Sequence, residues 1–342
     1  MKSLKDYSLD ISEQEYHDYP AWSHSLIARY AKDGFGAIKN LHEPIASTPS
    51  LEFGSLFDTI ITSDDFDSQY VISDSCPPPA EKKVLDTLLT MTSAPFYEIP
   101  TPTMEEAIST CQYQQRWSYG KQYEHIEENK DYYENRRTGK KVISTEDYND
   151  AMKMADELHN QEYSTGKLFK KGTVDGVEYI YQAKFVTKYN TGFNGIVDIK
   201  IMPDLLIVNH NDKTIQPVDL KTSQMPAYDF TENFIKFRYD IQACMYSDVI
   251  RAVMRRDHDY DDYTILPYIF SDISRSDMVP VSWVYNQFDP SQIDGFKFKD
   301  YQFKSWKTLL NEILEYEKSD AIVPSYIKTD VPNDILAYLN NR

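Results

Sequence analysis

Residues 195–222 read GIVDIKIMPDLLIVNHNDKTIQPVDLKT. Two apolar, β-branched runs, Ile196 to Val208 and Thr214 to Leu220, flank the polar knot Asn209-His210-Asn211-Asp212-Lys213, the pattern of a β-hairpin. Centring the turn between Asn211 and Asp212 places Asp204 opposite Asp219, with Cβ atoms roughly 5 Å apart. Lys221, two residues on, points to the same face as Asp219. Paired carboxylates repel unless a cation lies between them. All-oxygen ligands suit Mg²⁺ or Mn²⁺ better than zinc. A cross-strand salt bridge is the alternative reading, although Asp is a poor strand former.

The preceding run, Val177 to Thr187, is rich in β formers, and Asn190-Thr191-Gly192 suits a three-residue hairpin loop. Centring that loop on Thr191 places Glu178 opposite Asp204. The expectation is a row of Glu178, Asp204 and Asp219 across a three-stranded meander, with Glu178 completing the metal shell. A one-residue slip would turn a strand over. Asp198 lies six residues before Asp204, about 20 Å along a strand. It is therefore excluded from the centre and expected to pair with Lys184.

Pro203-Asp204 followed by Asp219-Leu220-Lys221 resembles the signature of the PD-(D/E)XK nuclease superfamily. Gln242 and Tyr246 resemble the QxxxY element of its RecB-like branch. Ser50 to Ser63 (SLEFGSLFDTIITS) resembles the upstream helix of phage-type RecE exonucleases, with Asp58 where that family has His four residues after Gly. The resemblance covers roughly residues 20 to 290. It implies a metal-dependent, lambda-exonuclease-like DNA exonuclease acting at duplex ends in recombination, Asp204, Asp219 and Glu178 holding about two Mg²⁺ or Mn²⁺ ions. Lys221 would orient or deprotonate water, Asp58 would add a ligand, and Gln242 and Tyr246 would meet substrate. It also implies a single-strand-annealing recombinase as partner and allows a ring-shaped homo-oligomer. A RecB-like endonuclease, a single-strand nuclease and a DNA-end-binding protein without turnover are the alternatives.

The implied fold is α/β (α+β), a restriction-endonuclease-like core with a mixed central β-sheet flanked by helices and an N-terminal helical elaboration. Four segments are expected: a polar arm over 1–20, a helical region over 21–143 contributing to the site, a nuclease core over 144–330 and a tail over 331–342. Helical spacing marks Ala21 to Asn40, the stripe Phe53, Leu56, Phe57, Ile60 and Ile61, one long helix from Asp229 to Arg256, and a last helix over 300–318. Strands are expected at Tyr263 to Phe270 and Met278 to Tyr285.

The 342 residues are 41% hydrophobic and 14% aromatic, enough for a large core. No apolar run reaches the ~18 residues of a membrane helix, and the first twenty residues lack an apolar signal core, which predicts a cytoplasmic protein. Cys76, Cys111 and Cys244 are too few for an iron–sulfur cluster's four thiolates and spaced for neither disulfides nor zinc. A net charge of −18 opposes phosphate binding in bulk. DNA contacts must then come from local clusters: Arg136-Arg137 with Lys140-Lys141, Lys167 with Lys170-Lys171, or Arg251 with Arg255-Arg256.

Overall fold

The computed structural model describes residues 2–43, 48–63, 65–73, 77–161, 165–292 and 294–318. The chain divides into two compact units, Met1–Gly54 with Asp156–Arg342, and Ser55–Ala155. The expected tail over 331–342 lies outside the described residues, as does Cys76.

The larger unit is built on a mixed sheet. In chain order its strands are β1 (Gly172–Val174), β2 (Val177–Tyr181), β3 (Phe185–Asn190), β4 (Ile196–Ile201), β5 (Leu205–Asn209), β6 (Thr214–Ser223), β7 (Thr264–Ile265), β8 (Tyr268–Ser274) and β9 (Pro280–Tyr285). The main sheet runs β9-β8-β6-β5-β2-β1, with β7 also on β6, while β3 and β4 form a separate two-stranded pair. β8 and β7 lie parallel to β6, and the other ladders are antiparallel. Parallel pairing of β6 with β8 needs a crossover, and the intervening chain supplies helices α3 (Phe230–Phe237) and α4 (Tyr239–Met254). Helices α1 (His24–Asp33) and α5 (Trp306–Lys318) complete the cover. Ile27 and Tyr30 of α1, Val249 and Val253 of α4, and Leu310 and Ile313 of α5 share one core with Leu206, Val208 and Ile215 of the sheet.

Turn chemistry sets the central hairpin. Asn209 Oδ1 accepts from the backbone N–H of Asn211 at 3.0 Å and of Asp212 at 3.1 Å, and Asn209 Nδ2 donates to Asp212 Oδ2 at 2.7 Å. The ladder that results pairs Leu205 with Val218 and Asn209 with Thr214. This is the register expected for the Asp204/Asp219 hairpin, with Asp204 one residue beyond its end.

The earlier hairpin differs by four residues. Phe185 pairs with Ile201 and Asn190 with Ile196, so the loop is Thr191–Gly195, not Asn190-Thr191-Gly192. Thr191 closes it by donating from N at 2.9 Å and from Oγ1 at 2.8 Å to the Gly195 carbonyl, and both Gly192 (φ +80°) and Gly195 (φ +89°) take the left-handed region. The same shift carries through β2 and β5, where Glu178 pairs with Val208. Asp198 likewise meets Lys188, at 3.6 Å, not Lys184, whose ammonium donates to the Ile11 carbonyl at 2.7 Å.

Neither long strand is continuous. Gln182 adopts φ +47°, and Pro203 has no N–H to donate, so the hairpin breaks at Gln182–Lys184 and Met202–Asp204. Two further features lie outside the expected pattern. Asp175 (φ +50°) and Gly176 (φ +78°) form a tight Asp-Gly turn between β1 and β2. A Cβ at Gly176 would stand 2.8 Å from the Asn211 side chain. Gly176→Ala is therefore expected to lower stability by about 1–2 kcal/mol, the cost of a side chain in the left-handed region, read from urea denaturation. The second feature is a break in the long helix expected over 229–256. Arg238 adopts φ +57° between α3 and α4, its buried guanidinium paired with Asp240 at 2.8 and 2.9 Å and donating to the Lys304 carbonyl at 2.7 Å.

Residues 2–20, expected as a polar arm, are anchored to the larger unit at particular points. Leu4 is fully buried, and the buried ammonium of Lys200 donates to the carbonyls of Tyr16, His17 and Tyr19 at 2.7–2.9 Å. This clip supplies acceptors to a cation removed from water while satisfying carbonyls at the end of helix Glu13–Asp18.

In the smaller unit, helices Pro79–Met91, Thr101–Thr110, Tyr119–Glu127 and Lys130–Arg137 pack around Leu88, Met104, Ile126 and Tyr133. Strands Tyr70–Ile72 and Lys141–Ile143 pair in parallel. Among the described residues, no helix is long and apolar enough to cross a membrane.

Candidate functional site

The bend at Pro203 creates the site. Past the Leu205–Val218 pair, β5 no longer accepts from β6, and the N–H of Leu220 donates instead to Asp204 Oδ2 at 2.6 Å. Asp204 thus stands in for a missing strand carbonyl and is anchored against Asp219-Leu220-Lys221. A charged acceptor on a backbone N–H makes a strong hydrogen bond.

Asp219 is 1% exposed in the middle of β6. Its Oδ2 meets the Lys221 ammonium at 2.5 Å, and its Oδ1 accepts a close hydrogen bond from Gln242 Nε2 on α4. Gln242 Oε1 in turn accepts from Lys221 Nζ at 3.2 Å, so one amide orients both members of the pair. Lys221 also sits 4.6 Å from the centre of the Tyr239 ring. Burial pulls the Lys221 pKa down, but the charges of Asp219, Tyr239 and Asp204 more than offset this and leave it above the ordinary lysine value. The raised value favours the ammonium form, which can orient water and balance negative charge.

Of the other expected residues, Glu178 is not part of this cluster. Its place opposite Val208 sets it four residues along β2 and β5 from the Asp204 bend, about 13 Å. There it accepts from Ser3 Oγ at 2.5 Å and faces His210 Nε2 at 3.7 Å. The cause is the longer Thr191–Gly195 loop. Glu178→Ala is accordingly expected to leave divalent-metal binding at Asp204 and Asp219 unchanged in a calorimetric titration, and a loss of binding would restore it to the centre. Gln242 and Tyr246 both lie on α4, as expected, but are buried. Gln242 is spent on Asp219 and Lys221, which makes it a positioning residue.

Gly54 and Asp58 lie on helix α2 (Pro49–Thr62). Gly54 brings its backbone close to β6, where an added Cβ would stand 3.3 Å from Thr222 Oγ1. Asp58 belongs to the smaller unit and is half-buried.

Two residues absent from the sequence reading join the cluster. His24, the first residue of α1, places Nδ1 3.1 Å from the Tyr246 hydroxyl, with the rings edge-on. Burial, and then the charge of Lys221, hold its pKa down at about 3, so the imidazole is neutral. Asp272 on β8 is in register with Lys221 and 1% exposed. Its Oδ1 has no hydrogen-bond partner among the described residues, and its Oδ2 has only Ser223 Oγ at 3.5 Å. Burial pushes its carboxyl up to about 7, against smaller lowering by Ser223 and Lys221. The run Tyr268-Ile-Phe-Ser-Asp-Ile-Ser274 does carry a signal, because an Asp inside an apolar parallel strand demands an explanation.

The basic clusters are largely engaged locally. Arg136 donates to the Lys140 carbonyl, Arg137 pairs with Glu134 at 2.8 Å, and Arg256 donates to the Val186 carbonyl. Arg251 and Arg255 line a cavity of about 430 Å³ with Tyr260, Tyr263 and Phe288. None of the cluster around Asp219 reaches this cavity's lining.

The donor set can be tested against a divalent ion. Among the described residues no group of three His, Cys, Asp or Glu side chains is gathered. Asp204, held on the Leu220 N–H, and Asp219, one residue before Leu220 on β6, offer two carboxylates, and Mg²⁺ commonly takes one or two and completes its shell with water and substrate phosphate oxygens. Asp204 and Asp219 fit that demand in kind and number, with the Lys221 ammonium competing for Asp219 Oδ2. Comparison of the sequence with protein-family models and with curated proteins returns no match.

Proposed function

We propose that the chain is a metal-dependent phosphodiester hydrolase acting on DNA, with duplex ends as its substrate. The observation that carries this reading is the anchoring of Asp204 beside Asp219 and Lys221 by one hairpin register and one bend. The order hairpin, helix, parallel strand around that centre supports the resemblance to PD-(D/E)XK nucleases in the quoted motifs.

Asp204 and Asp219 would hold Mg²⁺ or Mn²⁺. A bound divalent ion supplies charge neutralisation at a phosphoryl oxygen and an acidified water. The chain's own residues do the rest. Gln242 holds the Asp219 carboxylate in one orientation. Lys221 keeps a positive charge on the strand face it shares with Asp219, which favours the negative charge that accumulates at a phosphate under attack. Neutral His24 and Tyr246 wall one side without adding charge. With Glu178 displaced, two carboxylates suit a single ion better than the expected pair. A single-strand-annealing recombinase as partner belongs to the same reading.

The lodging of Lys221 on Asp219 and the net charge of −18 favour one competing reading, a DNA-end-binding protein without turnover. Incubation with linear and circular duplex DNA, with and without Mg²⁺ or Mn²⁺, separates them. Metal-dependent loss of linear DNA alone is the expected result. Nicking of circles identifies an endonuclease, and a gel shift without cleavage identifies a binder.

A further inference from the structure

We infer that Asp272 is a positioning residue that receives the Lys221 ammonium when Asp219 takes up a divalent cation. The inference rests on the metal-site reading above and adds to it a second, alternative counter-ion for Lys221.

The charge count requires such a residue. Without metal, Asp204 and Asp219 are balanced in part by Lys221, whose Nζ lies 2.5 Å from Asp219 Oδ2. If Asp204 and Asp219 held a dication, its charge would offset both carboxylates and compete with Lys221 for Asp219. The ammonium then has no counter-ion in a largely buried place, and an uncompensated buried charge is strongly destabilising. It cannot turn to His24, Tyr246 or Tyr268, which are neutral. Gln242 Oε1 and the face of Tyr239 offer only dipole and quadrupole.

Asp272 meets the need by geometry. It is the direct cross-strand neighbour of Lys221 in the parallel β6–β8 ladder, so the two side chains leave the same face about 4.8 Å apart at their origins. It is 1% exposed, and its Oδ1 is unpartnered among the described residues. A buried carboxyl oxygen without a partner costs stability in the metal-free protein, and that cost is recovered if Lys221 reaches it. Lys221 shares its strand face with Asp219 two residues away and with Asp272 directly across the ladder, so both carboxyls lie on the face its side chain covers.

The test is Mn²⁺ binding by isothermal titration calorimetry to the full chain, without DNA. Wild type is expected to bind. Asp272→Asn is expected to weaken binding about ten- to hundredfold, the usual cost of losing an outer-shell partner. Lys221→Gln sets up the decisive cycle: with the ammonium gone, adding Asp272→Asn should cost no further affinity. Asp272→Ser, with folding checked by circular dichroism, serves if the asparagine variant does not fold. Unchanged affinity in a folded Asp272 variant, or an equal loss with and without Lys221, overturns this inference and leaves the metal site standing. Failure of the wild type to bind Mn²⁺, or wild-type affinity in Asp219→Asn, overturns the metal-site reading itself and this inference with it.

Discussion

Asp219→Asn is expected to reduce the proposed metal-dependent DNA cleavage on the order of 10³-fold or more, because it removes a formal charge from the proposed metal site without changing the side chain's shape. The same substitution carries a second, separable effect. Lys221 loses the carboxylate 2.5 Å away while Gln242 still occupies the other oxygen. Removing one partner of a buried pair costs about 3–5 kcal/mol, and Asp204, whose charge also reaches Lys221, holds the loss toward the lower figure. The variant should therefore melt earlier yet remain folded at room temperature. Single-turnover cleavage with circular dichroism at the same temperature separates the two effects. Full cleavage by a folded Asp219→Asn protein would discard the assigned centre, whereas a fall in proportion to lost folded protein would reduce Asp219 to a structural role.

Asp272→Asn should stabilise the metal-free protein, and by an amount that depends on pH. The folded carboxyl titrates at about 7 and its ordinary value is 3.8. Between those values the folded state holds a proton that the unfolded state has released. Raising pH through this window therefore destabilises the fold, and above about 7 the loss is complete. Converted at 1.36 kcal/mol per pH unit, its upper bound is on the order of 4 kcal/mol. Below the ordinary value both states are protonated and the variant has little to gain. Urea denaturation of wild type and variant at about pH 5.5 and about pH 8.5 should show the difference widening with pH. His24 works in the opposite sense. Its folded value of about 3 lies below the ordinary 6.5, so stability falls as pH drops below 6.5. That term is common to both proteins and cancels in the comparison. A difference that stays flat with pH would mean that Asp272 is already ionised in the fold. A residue that weakens metal binding when replaced and yet strengthens the empty fold has the signature of a functional group held at a structural cost.

How much of this was legible in the residues follows from the range of each force. The β5–β6 register could be read because the Asn209–Lys213 turn is made by hydrogen bonds within four residues, and the shared face of Asp219 and Lys221 follows from the two-residue period of any strand. Gln242 and Tyr246 could be placed on one helix by the same kind of argument, with a period of 3.6. The mixed α/β class followed from that alternation of strand and helix patterns.

Only the tertiary structure decided the rest. Nothing local distinguishes a loop ending at Gly192 from one ending at Gly195. The choice fell to the cross-strand ladder, and those four residues removed Glu178 from the centre and gave Asp198 to Lys188 instead of Lys184. The helix break at Arg238 depends on Asp240 and on the distant Lys304 carbonyl. His24 and Asp272 acquire their chemistry from burial beside Lys221, residues remote in sequence. Desolvation is a property of a packed interior, and no window of sequence contains it.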